Sequence, residues 1–445
     1  MKRIVSTWWP LAASWALMGA ELPALSAVVA RLPNPEINLA AYGGIVFPIA
    51  LIIESPIIML LAASTALSKD YPSYQLLRRF MLVAGVALTG LHILIAFTPL
   101  YYFVAETILG APPVTIEPGR IGLMLMTPWT FSIAYRRFNQ GILIRFNRSK
   151  KVGIGTIIRL TADLVVLLVG YAIGSIQGIV VATCAVSAGV ISEAIYSGIV
   201  VRPVVQTDLR QAPPVPQVLT WRLFNRFYFP LVMTSLLTLL VQPLGSAALG
   251  RMPQPLESLA VWPVVSGLIF MLRSLGVAYN EVVVALLDEP LSTRNLRRFA
   301  GILVGCTTLT MFLFAATPIS HLWFERFSGL SPALAGLAVL GTWIALPLPA
   351  FTVLQSWYQG IILHSRKTKG ITEAVIVFLI TCSGLLWAGV LWGGAVGLYI
   401  GLIAFVAANL TQTAWLWLRS RTAERAVSER DQAFTALPVS SASAD

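Results

Sequence analysis

Long apolar stretches alternate with short polar or basic segments along almost the whole chain. Each apolar stretch is long enough to cross a lipid bilayer as an α-helix, which needs about 20 residues. The predicted spans lie at 8–31, 38–66, 78–104, 120–145, 154–173 and 177–201 in the first half, and at 221–249, 258–287, 298–323, 332–363, 371–391 and 394–418 in the second. The pattern predicts an all-α integral membrane protein with 12 transmembrane helices.

The sequence pattern indicates two copies of one six-helix unit. The segment RFNQGILIRFNRSK, at 137–150, returns 219 residues later as SWYQGIILHSRKTK, at 356–369. Near the start of each half, Pro10, Pro23, Arg31 and Pro33 recur at an offset of 220 as Pro230, Pro243, Arg251 and Pro253. Because each unit has an even number of spans, the halves should share one orientation and be related by a pseudo-twofold axis along the membrane normal. The recurrence also predicts that the first span is retained and is not a cleaved signal peptide.

Composition changes divide the chain into four parts. The predicted N-lobe is 1–203 and the predicted C-lobe is 221–419. Between them, 204–220 contains the proline-rich segment QAPPVPQ, which cannot continue a helix and is predicted to be a cytoplasmic interlobe linker. The polar stretch 420–445 ends in SSASAD and is predicted to be a disordered cytoplasmic tail.

The bulk composition agrees with the membrane assignment. Apolar residues make up 57% of the chain, charged residues only 11%, and the net charge is +12. The basic residues lie between the apolar stretches and not along one polar face, which favours a positive-inside bias over nucleic-acid binding. We therefore expect both termini in the cytoplasm of a multi-pass protein of the bacterial inner membrane or plasma membrane.

Signatures of catalysis and of metal binding are missing from the sequence. There is no Walker A segment and no HExxH motif, and His92, His321 and His364 have no metal-like spacing. The cysteines lie inside apolar stretches without ligand-like spacing. The sequence therefore predicts a protein that is not an enzyme and has no cofactor and no metal site.

The informative residues are charges inside the apolar stretches. Each costs about 2.5–3.5 kcal/mol at a helix centre, so such residues usually face a cavity or a partner. The charges are Glu21, Glu54, Arg136, Arg137, Asp163, Glu193, Arg273 and Glu281. These positions supply most of the candidates for a substrate or ion pathway.

Glu21 and Glu54 lie at similar depth in adjacent predicted spans and suggest a shared aqueous cavity. Two nearby carboxylates would suit a proton- or cation-coupled exchanger. The alternative is that Glu21 only satisfies backbone groups opened by Pro23. Glu54 and Arg273 occupy nearly equivalent depths in the two halves, so they could form a latch across the cleft, which frees Arg273 for an anionic substrate group when it opens. The alternative is a static ion pair.

The remaining charges allow more than one interpretation. Arg136 and Arg137 either have a functional role or extend to the cytoplasmic surface. Arg159 and Asp163 have i, i+4 spacing and are predicted to neutralise each other structurally. Glu193 and Glu281 have no obvious partner in the sequence.

Several segments resemble one known superfamily. They are WPLAASWALMGAELPALSAVVARLPNPEINLAAYG near the N-terminus, TPLYYF at 98–103 and QGILIRFNRSK at 140–150. Together with the duplicated topology, these segments resemble the multidrug/oligosaccharidyl-lipid/polysaccharide (MOP) flippase superfamily. Within it, about 1–420 is similar to multidrug and toxic compound extrusion (MATE) transporters, and especially to the progressive ankylosis protein branch.

The resemblance implies a V-shaped pair of lobes around a central cavity that opens alternately to either side. It places Glu21, Glu54, Gln242, Arg273 and Glu281 near the cleft. The seventh helix has Gln242 and no acid, so the cation-site carboxylates of drug exporters have no match there, and a proton is favoured over sodium as the coupling ion.

Two functions are in competition. One is a secondary active transporter that exports amphipathic or anionic small molecules, and the alternative is a flippase of lipid-linked oligosaccharide or polysaccharide. A flippase cavity should be strongly cationic, whereas the apolar stretches hold more acids than arginines, which favours the exporter. The expected partners are the substrate, the coupling ion and membrane lipids. A membrane scaffold without transport would not explain so many buried charges.

Overall fold

The computed structural model describes residues 1–213, 215, 218–287, 289, 292–365 and 369–436. Within these ranges all regular elements are helices, which confirms the predicted all-α class. The helices of the first half are α1 (Lys2–Gly19), α2 (Glu21–Val29), α3 (Pro35–Ala41), α4 (Phe47–Ile58), α5 (Leu60–Leu67), α6 (Tyr71–Phe97), α7 (Leu100–Tyr102), α8 (Pro113–Leu125), α9 (Thr127–Arg145), α10 (Ser149–Ile173) and α11 (Gly178–Val204). Short π-helices are π1 (Tyr42–Val46), π2 (Phe103–Ile108) and π3 (Val205–Leu209).

The second half repeats this order with fewer interruptions. Its helices are α12 (Trp221–Leu239), α13 (Val241–Leu249), α14 (Pro255–Leu286), α15 (Ser292–Ala316), α16 (Ile319–His321), π4 (Leu322–Phe327), α17 (Pro332–Ala345), α18 (Leu348–His364), α19 (Lys369–Trp392) and α20 (Gly397–Ala436). The termini of the described chain lie at one end of the bundle, which we call the terminal face. The opposite end is the distal face.

Eleven helical segments of the described residues are long and apolar enough to cross a membrane. The predicted span at 120–145 corresponds to α8 and α9 and is not among the eleven. The mean hydropathy of this segment is low because α9 carries buried polar side chains, which include Arg136, Asn139 and Gln140. The count of twelve spans therefore stays a prediction.

Prolines divide the first span of each half into two helices. Pro23 has no N–H to donate to the carbonyl of Gly19, and the helix breaks at Ala20. In the second half, Pro243 likewise has no N–H to donate to the carbonyl of Leu239, and the helix breaks at Leu240 between α12 and α13. These paired breaks support the predicted repeat.

The two halves meet along α1 and α14. Gly19 permits a close approach, because a Cβ atom there would lie 3.1 Å from the Cα of Met271. Nearer the terminal face, Trp8 Nε1 donates to the Leu275 carbonyl oxygen at 3.0 Å. Ile4 is buried with residues of α14 and α15 in one apolar cluster. The first helix of the first half is therefore packed against the second half.

Two repeat-related arginines bridge the halves at the distal face, and we call them the distal latches. Arg31 donates to the carbonyl oxygen of Arg326. Arg251 donates to the carbonyl oxygens of Thr107, at 2.6 Å, and Ile108, at 2.9 Å. Each guanidinium therefore caps the carboxyl end of a π-helix in the opposite half.

A glycine with positive φ follows each of these π-helices. Gly110 has φ 61° and Gly329 has φ 71°. A Cβ at Gly110 would lie 2.9 Å from the Arg251 guanidinium carbon, and one at Gly329 would lie 3.1 Å from Arg31 Nη1. The glycines therefore provide both the turn and the space that the distal latches need.

The expected disorder of the tail is wrong for its first part, since α20 continues as a helix to Ala436. Packing at the terminal face explains the difference. Val427 is buried in the cluster that contains Ile4, and Arg430 Nη2 donates to the Leu287 carbonyl oxygen at 2.9 Å. Asp431 accepts a hydrogen bond from the Thr293 N–H at 3.2 Å. The predicted disorder of 437–445 lies outside the described residues.

Part of the predicted linker is ordered. Its first residues form π3, and the Val215 N–H donates to Asp70 Oδ2 at 3.1 Å. The other Asp70 oxygen caps α6 by accepting from the Ser73 N–H at 3.0 Å. Although partial burial opposes it, hydrogen bonding from Ser73 and Val215 holds the pKa of Asp70 below its ordinary value. The assignment of 204–220 as a cytoplasmic linker stays a prediction.

Candidate transport pathway

A buried set of charges lies inside the first half, and we call it the N-lobe network. Its members are Glu21, Glu54, Arg136, Arg137, Arg159, Asp163 and Glu193. At the centre, Glu193 of α11 is only 1% exposed. It accepts hydrogen bonds from Arg136 and, at 2.8 Å, from Gln140 Nε2, both on α9. Buried charges of opposite sign are therefore paired, as low-dielectric surroundings require.

Arg159 of α10 joins Glu21 to this centre. Its Nη2 lies 2.7 Å from Glu21 Oε2, and its Nε lies 3.7 Å from Glu193 Oε2. Glu21 is the first residue after the α1–α2 break, so the break directs its side chain toward α10. The ion-pair partners of Arg159, Glu21 and Glu193, come from other spans. The Arg159 charge also attracts the Asp163 carboxylate, and the predicted neutralisation of Asp163 by Arg159 stays a prediction.

Asp163 is buried beside Glu21, and the two carboxyl groups are close enough to share a hydrogen bond. Gly189 makes room for it, because a Cβ there would lie 1.8 Å from Asp163 Oδ1. Two carboxyl groups from different helices are therefore neighbours inside the first half.

Glu54 has different neighbours from those expected. It is 3% exposed, its Oε2 has no hydrogen-bond partner, and its nearest opposite charges are Arg137 and Arg136. No ion pair between Glu54 and Arg273 occurs in the described part of the chain, so the latch across the cleft is absent from this conformation. Glu54 is on α4, which packs against α9 of its own half, whereas Glu21 interacts with the Asp163 carboxyl.

Arg136 is buried and paired with Glu193, so it does not extend to the surface. Arg137 is partly buried, and its Nε has no hydrogen-bond partner. Both arginines therefore belong to the N-lobe network. Their assignment to a substrate or ion pathway stays a prediction.

A cavity of about 310 Å³ lies where α1 meets α14 and α18. One wall is formed by Arg273, Asn280 and Glu281 of α14. The facing wall is a polar stripe on α18 at helical spacing, formed by Thr352, Gln355, Ser356 and Gln359. Trp15 of α1 covers part of the cavity, and its Nε1 donates to Glu281 Oε1 at 3.0 Å. Arg273 and Glu281 both line this cavity, and their assignment to a substrate or ion pathway stays a prediction.

Arg273 is held by neutral groups. Its Nε donates to Thr352 Oγ1 at 2.7 Å, its Nη2 reaches Asn409 Oδ1 at 3.5 Å, and its guanidinium carbon lies 5.4 Å from the ring centroid of Phe405. Among the described residues, no carboxylate lies within 4.0 Å of it. The predicted pathway residue Gln242 lies on α13 and is not part of the lining of this cavity.

Some residues of the sites were missed by sequence reasoning. The sequence predicts only a local partner for Arg159 and no role for Asn409 or Gln355. The repeated QG motif was the available signal, because Gln140 binds Glu193 in the N-lobe network and Gln359 lines the cavity in the second half. The motif therefore marks one polar position in each half.

Comparison with known proteins gives matches only at the level of structure. The fold matches a multidrug resistance MATE family transporter of the MOP superfamily in its inward-facing conformation, with a TM-score of 0.73, 15% identity, and coverage of 94% of this chain and 98% of that chain. It matches the lipid II flippase MurJ in an inward closed conformation, with a TM-score of 0.66, 14% identity, and coverage of 95% and 90%. It also matches a multidrug resistance MATE family transporter of the MOP superfamily in its outward-facing conformation, with a TM-score of 0.61, 16% identity, and coverage of 96% of each chain.

No known protein family's sequence profile matches the chain. No curated protein matches it either. The chain therefore has the fold of MATE transporters and of MurJ, at an identity that establishes fold alone. The more specific likeness to the progressive ankylosis branch stays a prediction.

Proposed function

We propose that this protein is a secondary active transporter that exports amphipathic or anionic small molecules by alternating access. The observation that carries the proposal is a polar cavity at the junction of the halves, combined with bridging contacts at the distal face. The basic loops assign the terminal face to the cytoplasm. The conformation is then inward-facing, and the higher TM-score with the inward-facing relative supports this assignment.

A proton is the coupling ion that the N-lobe network favours. Arg159 places a tethered positive charge between Glu21 and Glu193, where a bound metal ion would otherwise balance the carboxylates. Loss of the Glu21 charge would weaken the contact with Arg159. Since Glu21 directly follows the α1–α2 break, this change acts on the helix that packs against α14.

The proposal is tested by flux measurements on purified protein in liposomes. Export of ethidium, an amphipathic cation, and of 2-naphthoate, an amphipathic anion, would be followed under imposed pH or sodium gradients. We expect a pH gradient to drive flux of at least one probe and nigericin, which collapses that gradient, to stop it. Flux that is independent of both the pH gradient and the sodium gradient, or the absence of flux of either probe, contradicts the proposal.

A flippase of lipid-linked glycans is the second candidate, favoured by the structural likeness to lipid II flippase MurJ. The cavity gives this function less support, because its lining has one arginine and one glutamate, while a pyrophosphate headgroup carries more than one negative charge. The same liposomes distinguish the two functions. Transbilayer movement of a fluorescent polyprenyl-pyrophosphate without flux of either soluble probe would favour the flippase.

A further inference from the structure

We propose that Arg273 is the subsite for the single negative charge of the substrate, and that an amphipathic organic monoanion, such as an aromatic carboxylate, is the class of molecule that this cavity accepts. This inference rests on the proposed transport function and makes it more specific. It follows from three features of the second half: a missing counter-ion, a surplus of donors and the distribution of charge in the cavity.

Alignment of the two halves of the sequence at an offset of 219 shows that the second half lacks a counter-ion. Arg136, Gln140 and Glu193 correspond to Gln355, Gln359 and Gln412. In the first half, Arg136 and Gln140 both bind the Glu193 carboxylate. In the second half, the amide Gln355 Nε2 lies 3.4 Å from the amide oxygen of Gln412. The second half has therefore kept the polar position but has no acid there.

A cation nevertheless remains in the second half, because Arg273 lies beside these amides. Asn409 Oδ1 contacts both Arg273 Nη2, at 3.5 Å, and Gln355 Nε2, at 3.3 Å. Asn409 is itself fixed, since its Nδ2 donates to the Phe405 carbonyl oxygen at 2.8 Å. Thr352 is fixed in the same way by donating to the Leu348 carbonyl oxygen. Both side chains therefore offer Arg273 neutral acceptors and no negative charge.

The guanidinium has more donors than partners. It carries five N–H groups, of which the contacts with Thr352 and Asn409 engage two. A guanidinium in a low-dielectric site without a counter-ion is costly, so an anion that enters the cavity gains both charge pairing and charge-assisted hydrogen bonds. Planar carboxylates fit the forked geometry of the remaining donors.

The distribution of charge limits the substrate to one negative group. Glu281 lies eight residues after Arg273 on α14, about 12 Å along the helix axis at 1.5 Å per residue. A second negative group near that end of the cavity would face the Glu281 carboxylate. Trp15 instead offers an aromatic surface for the apolar part of the molecule. The cavity therefore suits a monoanion with an apolar or aromatic body.

Binding without any gradient tests the subsite separately from transport. The full-length protein would be placed in phosphatidylcholine nanodiscs, and fluorescence anisotropy would give the affinities of 2-naphthoate and of its neutral isostere 2-naphthamide. We expect naphthoate to bind more tightly by about tenfold or more, the effect of a charge-assisted hydrogen bond. Arg273→Gln should abolish the preference by weakening naphthoate alone.

Asn409→Asp provides a second variant that keeps Arg273 in place. The new carboxylate has nearly the shape of the amide and supplies the missing counter-ion, so it should also abolish the preference. Arg226→Gln, at an exposed arginine of α12, is the matched control and should change neither affinity. Equal binding of the two probes by the wild-type protein, binding of neither, or a preference that survives Arg273→Gln overturns the proposal.

Competition identifies the source of the anion. Displacement of naphthoate by benzoate and not by dihexanoyl phosphatidic acid assigns the subsite to free small anions, whereas the reverse assigns it to a lipid headgroup. Either result retains the anion subsite. If the naphthoate preference is present but gradient-driven flux is absent, the proposed transport function fails while the subsite stands. If flux is present but the preference is absent, only the subsite fails.

Discussion

At the scale of single residues, the buried charges are the part of the molecule whose roles are most testable. Glu21 bonds to Arg159 and lies beside the buried Asp163 carboxyl. Loss of the charge on Glu21 therefore changes the pairing of a network that includes Glu193. Two residue-level predictions follow from this geometry.

Glu21→Gln should mimic the protonated carboxyl. We expect the variant to insert into the membrane and to bind 2-naphthoate as the wild type does, but to lose flux driven by a pH gradient. Flux would be measured in proteoliposomes at several imposed gradients. Glu106→Gln, at an exposed acid of π2, is the control and should retain coupling. Wild-type pH dependence in Glu21→Gln would exclude this mechanism.

The pair formed by Arg136 and Glu193 should be more sensitive to single substitutions than to a double one. Glu193→Gln leaves the buried guanidinium unpaired and should cost about 3–5 kcal/mol of stability. The double variant Arg136→Gln with Glu193→Gln reproduces the amide pair that Gln355 and Gln412 form in the second half. We expect thermal unfolding in detergent to show that the double variant regains much of the loss. A double variant that is as unstable as the sum of both single variants would contradict this account.

At the scale of elements, the distal latches hold the ends of π2 and π4 against the opposite half. Hydrogen bonds to charged groups contribute about 1.5–3 kcal/mol each. Among the described residues, the hydrogen bonds of each latch arginine go to carbonyl oxygens across the boundary and in the helix just before it. The latches therefore stabilise the conformation in which the distal face is closed.

Replacement of Arg31 and Arg251 by Ala should shift the population toward a distally open state. In a background without native cysteines, Ser246→Cys would report the change, because Ser246 is buried and contacts the Gly43 carbonyl oxygen across the boundary. We expect its modification by a membrane-impermeant maleimide to accelerate by about tenfold or more, in line with the energies above.

Arg120→Ala is the matched control for the latches. Arg120 also lies toward the distal face, but it donates to Tyr102 Oη and the Ala96 carbonyl oxygen within its own half. The Arg120→Ala substitution should therefore leave the modification rate of the Ser246→Cys reporter unchanged. Equal rates in the latch variants and in this control would mean that the latches do not hold the closed state.

At the scale of the whole molecule, the orientation in the membrane decides which way the cavity opens. The basic loops predict a cytoplasmic terminal face. In a background without native cysteines, Ser149→Cys, at the exposed start of α10, should be protected from impermeant maleimide in intact cells and react after permeabilisation. A cysteine introduced after Gly393, in the turn before α20, should react in intact cells. If Ser149→Cys reacts in intact cells and the cysteine after Gly393 does not, the topology is the reverse of the predicted one, and the proposed export would be uptake.

The sequence predicted the helical fold well, and it predicted the partners of the buried charges poorly. Hydropathy gave the all-α class, whereas only the family resemblance suggested a common cleft for Glu21, Glu54, Gln242, Arg273 and Glu281, of which Arg273 and Glu281 line one cavity. The proposed Glu54–Arg273 pair is absent from this conformation, and the contacts of Arg159 with Glu21 and Glu193 do not follow from its spacing to Asp163. Spacing along the chain gives the depth of a residue, but it does not give the direction in which its side chain points across the bundle.

The sequence alone determined which segments are apolar, where prolines interrupt them and which residues recur between the halves, because these are properties of the chain in one dimension. The tertiary structure decided which charges meet. The break at Ala20 directs Glu21 toward α10, Gly189 makes room for Asp163, and Asn409 of α20 takes the place beside Arg273 that a carboxylate could have held. Each of these contacts joins separate spans, so helix rotation and packing determine them.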